Sequence, residues 1–109
     1  MRIAYAEYFL ADVELQQDWY TEQSDAALGI RYADAVLASL KNLAANPHLG
    51  IQCNFRSRKL RGLRRFLVDR PFHTHLIFYR VEEQDLVAVR VISGFRDLQR
   101  RLLQPPGAD

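Results

Sequence analysis

An α+β fold, with an N-terminal strand and an α-helical hairpin packed on an antiparallel β-sheet, is predicted by three features of the sequence. Residues 30–44 repeat apolar side chains at helical spacing. Residues from 58 onward repeat with a period of two. The connections between those later segments are too short for anything but antiparallel neighbours. At 109 residues the chain has material for one core and not for two, so a single domain over residues 1–109 is expected.

Residues 2–9, RIAYAEYF, alternate weakly and hold three aromatics, which reads as a first strand. Asp12 and Glu14 then open a short helix, ADVELQQDWYTEQ, where acidic groups suit the exposed N–H groups of a helix start. Its apolar members Leu10, Val13, Leu15, Trp19 and Tyr20 spread over one broad face. Ser24 or Asp25 can cap a second helix, in which Ile30, Ala33, Leu37, Leu40 and Ala44 form a stripe widened by Val36 and Leu43. Asn46-Pro47 ends it, because proline donates no hydrogen bond and restricts the residue before it. The few residues between the helices make them an antiparallel hairpin.

PHLGIQCNFRS reads as an irregular loop. Three strands follow, KLRGLRRFLV, THLIFYRV and LVAVRVIS, joined by DRPFH and EEQD. Strict alternation puts Val87, Val89 and Val91 on one face of the last strand and Ala88, Arg90 and Ile92 on the other. In the middle strand Ile77, Tyr79 and Val81 alternate with Leu76, Phe78 and Arg80. One face can bury against the hairpin while the other presents arginines among apolar residues. FRDLQRRLLQ closes the chain as a short C-terminal helix, and residues 104–109 are expected to be a loose tail.

The composition, 49% hydrophobic and 26% charged, is that of a folded chain and excludes a disordered one. No apolar run approaches the roughly 18 to 20 residues of a membrane helix. MRIAYAEYF does not read as a signal peptide. The single cysteine, Cys53, fits a reducing compartment, so a cytoplasmic location without membrane association is expected.

The net charge of +2 conceals a polarised chain. Residues 1–55 hold three basic and seven acidic side chains, whereas residues 56–109 hold twelve basic and six acidic. Eleven of those twelve cations are arginines, whose planar fork suits phosphate and carboxylate. The asymmetry suggests an anionic partner, either nucleic acid or an acidic protein segment, with a solvated sheet face as the plain alternative.

Residues able to do chemistry are few. His73 and His75 point to the same side of a strand, but only His48 offers a third imidazole, so no metal site is expected. RGLRR holds a lone glycine, not a phosphate-binding loop, and no cofactor is expected. No serine or cysteine stands in a recognisable nucleophile arrangement. What remains is Arg61, Arg64, Arg65, Arg80, Arg90 and Arg96. Arginine stays protonated, so this set binds an anion and supports catalysis only if a base or acid joins it.

NLAANPHLG, followed by LRGLRRF, HLIFYRV and VRVISGFRDL, resembles the RelE/ParE superfamily of toxins from type II toxin–antitoxin systems over nearly the whole chain, and the ParE-like branch in particular. The resemblance to that branch implies a plasmid-stabilisation toxin that inhibits growth through DNA gyrase by a poisoning contact. It also implies a cognate antitoxin that wraps the toxin with an acidic and apolar segment. Arg61, Arg64, Arg65, Arg80, Arg90 and Arg96 are the residues expected to meet the antitoxin or the target.

The RelE-like branch implies instead a ribosome-dependent mRNA endonuclease, in which Arg61, Arg65 and Arg96 would be the catalytic residues. That branch's strand arginine is Leu76 here, and its C-terminal aromatic is Leu102. Two of the four recognisable positions therefore lack the chemistry, and a 2′-hydroxyl needs a proton acceptor. Departures from the ParE pattern are Ser93 in place of a histidine and Phe95 in place of a small residue. The leading expectation is a non-enzymatic ParE-like toxin. The alternatives are the RNA endonuclease and an antitoxin-binding remnant without toxicity.

Overall fold

The computed structural model of the protein describes residues 1–108, so Asp109, the last residue of the expected tail, lies outside the described residues. The chain runs β1 (Arg2–Tyr5), α1 (Glu7–Gln23), α2 (Ala26–Ala45), β2 (Ile51–Gln52), a 3-10 turn (Arg58–Leu60), β3 (Arg64–Leu67), β4 (His75–Glu82), β5 (Asp85–Ser93) and α3 (Leu98–Leu102). The five strands form one sheet in the order β1-β5-β4-β3-β2. β3, β4 and β5 are antiparallel neighbours, as expected; β2, in the segment expected to be a loop, adds a further antiparallel strand, and β1 runs parallel to β5, which makes the sheet mixed.

Several boundaries differ from the sequence reading. The first strand ends at Tyr5, and α1 begins five residues before Asp12. Tyr5 at the end of β1 and Phe9 in the first turn of α1 therefore meet as ring neighbours, with centroids at 6.0 Å, rather than alternating across a strand. The expected strand over residues 59–68 is confined to Arg64–Leu67. Before it, the Ser57 hydroxyl accepts from the Lys59 amide to start the 3-10 turn, and Gly62 adopts φ +81°, a conformation that ends any extended run.

α1 and α2 form the expected hairpin and cover one face of the sheet. Asp25 caps α2 by accepting from the Leu28 amide at 2.9 Å. The helices cross closely at Gly29, where a Cβ would lie 2.9 Å from the Gln17 carbonyl oxygen, inside contact distance. The inward face of α2 is Gly29, Tyr32, Val36, Ser39, Leu40 and Leu43, one step round from the expected stripe. Ile30 and Leu37 consequently lie on the outside, as do Leu10, Leu15 and Trp19 of α1. Between hairpin and sheet, Phe9, Tyr32, Val36, Leu40 and Leu43 meet Val68, Phe72, Ile77, Tyr79, Leu86, Ala88 and Val91. Burying each such side chain contributes about 1.5–3 kcal/mol.

The alternation expected of β5 is broken once. Phe78 pairs with Arg90 and Tyr79 pairs with Ala88, which leaves Val89 as an extra residue in a β-bulge. Ala88 and Val91, three positions apart, therefore both enter the core under the hairpin. On the opposite side of the sheet Leu76, Phe78 and Ile92 are not open. Leu60 and Leu63 from the turn segment and Leu102 from α3 close over them as a second, smaller core.

Arg90 is the main correction to the expected binding set. Its side chain is 6% exposed and pairs with Asp12 of α1, whose side chain is 8% exposed. Nε donates to Asp12 Oδ2 at 2.7 Å and Nη2 to Oδ1 at 3.0 Å. Nη1 donates to the carbonyls of Arg101, Leu102 and Gln104, at and just beyond the C-terminus of α3, where the last turn leaves carbonyls facing outward. The expected loose tail is likewise held over its described part: Gln104 accepts from Arg90, and Pro105 and Gly107 line a cleft with Leu15 and Trp19 of α1. Removing the carboxylate would leave a buried guanidinium unpaired. D12A is therefore expected to cost roughly 3–5 kcal/mol. D12A/R90M should cost less than the two single substitutions added together, as read by urea unfolding.

Candidate binding face of the sheet

The six arginines singled out from the sequence are split by the structure into anchors and open cations. Arg90 is buried as described. Arg80, half-buried, donates from Nε to the Arg61 carbonyl at 2.8 Å and from Nη2 to the Lys59 carbonyl at 2.6 Å, which fixes the turn before β3. Arg64 donates to the Gly50 carbonyl at 2.7 Å. Arg61, Arg65 and Arg96 are exposed, and their side chains make no hydrogen bond or ion pair with the described residues.

β2 positions the surface around Arg65. Gly50 lies so close to Tyr79 that a Cβ there would overlap the phenol ring. The Tyr79 hydroxyl accepts from the Gly50 amide at 2.9 Å and donates to the Pro47 carbonyl at 2.7 Å. Together with Arg64 on the Gly50 carbonyl, these bonds bring the following Ile51 against β3, where it pairs with Arg65. The result is a groove of about 590 Å³ lined by Leu49, Ile51, Arg65, Phe66, Leu67, Leu76 and Phe95. Its rim is unusually apolar for an open surface: Ile51 is 64% exposed, Phe95 56%, Leu49 49% and Leu67 46%. Arg65 is the cation within it.

Sequence reasoning found Arg65 but missed Leu49 and Ile51, which fall in the segment read as loop. A two-residue strand is too short to show a period, and only its β-branched Ile51 carried a signal. Phe95 stood out as a departure from a small residue, and in the structure it supplies one wall of the groove.

His73 and His75 do not share a strand face as expected: β4 begins at His75, and His73 lies before it in a turn. His75 is 2% exposed and lies among the aromatic rings of Tyr20, Tyr32 and Phe72 under the hairpin. Its Nε2 shares a 2.7 Å hydrogen bond with the Tyr20 hydroxyl. Burial holds the imidazole neutral and lowers its pKa from 6.5 to about 4, while burial also raises the Tyr20 and Tyr32 phenols. Cys53 is half-buried, and its thiol is pushed up by burial, against a smaller opposing pull from Arg65. No group of three or more His, Cys, Asp or Glu side chains able to hold a metal occurs among the described residues. No helix among them is long and apolar enough to cross a membrane.

Residues 3–98 match the family model for the ParE toxin of type II toxin-antitoxin system, parDE. The chain belongs to the ParE toxin family. No curated protein matches this ParE-family chain by sequence. Among solved structures it is similar to a chain of the chromosomal ParDE toxin–antitoxin system from P. aeruginosa. The TM-score is 0.72 at 16% identity, covering 87% of this chain and 97% of that one, a likeness of fold.

The buried His75 makes the stability of this ParE-family protein acid-sensitive in a defined window. The folded imidazole titrates below its unfolded value, so between pH 6.5 and about 4 the unfolded chain binds more protons and stability falls as pH falls. The loss should be on the order of 3 kcal/mol across that window, measured by denaturant unfolding at fixed pH values, and H75Q should flatten it.

Proposed function

We propose that this ParE-family protein is the toxin of a type II toxin–antitoxin pair of the plasmid-stabilising kind, that a cognate antitoxin neutralises it, and that it inhibits growth by poisoning DNA gyrase. The observation that carries the antitoxin reading is the groove around Arg65. Four exposed apolar side chains beside one open arginine suit a segment that alternates acidic and apolar residues. The apolar rim supplies area to bury, and the cation selects carboxylates. The similar P. aeruginosa structure is described as a ParDE toxin–antitoxin system, which supports a partner of this kind. Arg61 and Arg96 lie outside the groove lining and are proposed as target or rim contacts. Arg64 and Arg80 contribute by holding β2 and the turn in place.

The gyrase reading is supported by the family, and the placement of His75 withdraws one of the two histidines, His73 and His75, that could serve RNA cleavage as a base. Attack by a ribose 2′-hydroxyl requires a proton acceptor, whereas this imidazole is occupied by Tyr20 beneath the hairpin. Expression of the protein in a bacterium without its antitoxin should induce the DNA-damage response and deplete supercoiled plasmid before protein synthesis slows. Translation arrest with cleaved mRNA and unchanged supercoiling would overturn the gyrase reading, and unimpaired growth would favour a non-toxic remnant.

Arg65 and Leu67 are exposed, so substitutions there should leave the fold intact. R65A/L67D is expected to weaken antitoxin binding by at least tenfold in calorimetric titration. Its melting temperature should stay within about 2 °C of the parent.

A further inference from the structure

The groove does not account for the strongest concentration of charge in the chain. From residue 35 to residue 68 there is no Asp or Glu, and Arg56, Arg58, Lys59 and Arg61 fall within six positions of that stretch. All four are exposed, and none of their side chains meets a hydrogen-bond or ion-pair partner among the described residues. Arg80 lies against the same turn, with its guanidinium spent on the Lys59 and Arg61 carbonyls, and so adds a fifth positive charge. Glu7 lines a shallow groove beside Lys59 without an ion pair between them. Like charges held this closely repel one another, and an anionic partner removes that cost.

The segment is also fixed. Gln99 Oε1 accepts from the amides of Arg56 at 2.7 Å and Ser57 at 3.1 Å. Ser57 Oγ accepts from the Lys59 amide, and Leu60 and Leu63 are buried beneath. The partners on this side of the sheet thus take up the backbone and leave the cationic side chains to solvent. Such a ridge meets a charged partner without first having to be ordered.

The surroundings select the kind of anion. No large apolar side chain from residue 53 to residue 66 is strongly exposed; the exposed apolar neighbours, Tyr8 and Leu103, line the groove beside Lys59, which Arg56, Arg58 and Arg61 do not line, so an amphipathic acidic peptide finds less area to bury here than at Arg65. The one aromatic close by in sequence, Phe55, is half-buried near Phe78, with ring centroids at 6.3 Å, and offers no open platform for an unstacked base. Dense charge with little apolar area along residues 56–61 suits an evenly spaced polyphosphate, and duplex DNA presents one charge per about 1.7 Å of axis. We propose that Arg56, Arg58, Lys59 and Arg61 form a sequence-independent docking ridge for the phosphate backbone of double-stranded DNA. It is separate from the antitoxin groove and independent of which cellular target the protein has.

Fluorescence anisotropy with purified protein and a labelled 20-base-pair duplex of arbitrary sequence, over a series of salt concentrations, tests this directly. Each phosphate contact contributes about −0.9 to the slope of log K against log salt, so a slope of about −3 to −4 is expected. R56Q/R58Q/K59Q leaves the Arg65 groove untouched. It should lose at least tenfold in affinity and about two to three in slope, with an unchanged melting temperature. Absence of salt-dependent binding overturns the proposal, as does a triple variant that binds with the same affinity and slope. Tighter binding to single-stranded DNA, to RNA of the same length or to polyglutamate than to the duplex overturns it as well.

Discussion

The ion pair between Arg90 and Asp12 is the constraint on which the arrangement of this molecule turns. It joins residues 78 positions apart, and one guanidinium serves three elements: it is carried on β5, held by the carboxylate of α1, and donates to the carbonyls at the end of α3. Asp12 also accepts from the Val91 amide at 3.1 Å, so the carboxylate is committed to both side chain and backbone. The Arg90 guanidinium further lies 5.6 Å from the centre of the Tyr8 ring, a geometry that suits a cation over an aromatic face. Desolvating two charges is expensive, and the compensation comes from satisfying their hydrogen-bonding capacity together. What the pair secures is position, because α3 spans only five residues and could not hold itself against the sheet by helix propagation alone.

With α3 and the turn segment in place, the sheet's second face is divided. The half toward α3 becomes a small core around Phe78, and the half toward β2 stays open around Arg65. The arginines do not follow that division. Arg64, Arg80 and Arg90 spend donors on backbone carbonyls, and Arg61, Arg65 and Arg96 keep theirs for solvent or a partner. A count of arginines treats these as one population. Their function differs according to whether a carbonyl lies within reach, and this separates the scaffold residues Arg64, Arg80 and Arg90 from the open Arg61 and Arg65.

How much was legible in the sequence follows from the range of the interactions involved. α2, β4 and β5 were readable because their periods run over many residues and are bounded by Pro47 and by short charged turns. The parallel pairing of β1 was not, since strand direction depends on where two helices return the chain. β2 escaped because two residues carry no period, and its existence depends on Tyr79, 29 positions from Gly50. The burial of Arg90 escaped for a related reason: an arginine on an alternating strand reads as solvent-facing unless its carboxylate partner is known. Arg65 was legible as a site residue, but the apolar rim that gives it meaning comes from Leu49, Ile51 and Phe95, on segments with no regular pattern.

The bulge at Val89 has a consequence for the geometry of the whole C-terminal third. One additional residue works as a half-period phase shift in a two-residue repeat. It separates β5 into a stretch in phase with β1 and a stretch in phase with α3. Ala88, which faces the hairpin, and Arg90, which reaches Asp12 and the end of α3, can therefore both satisfy surroundings that a uniform strand would set against each other. A strand that kept Val89 in regular alternation, without the bulge, would carry Arg90 into the apolar core and Val91 out of it. The place of the bulge, between Ala88 and Arg90, therefore decides which side of the sheet every later residue of β5 faces.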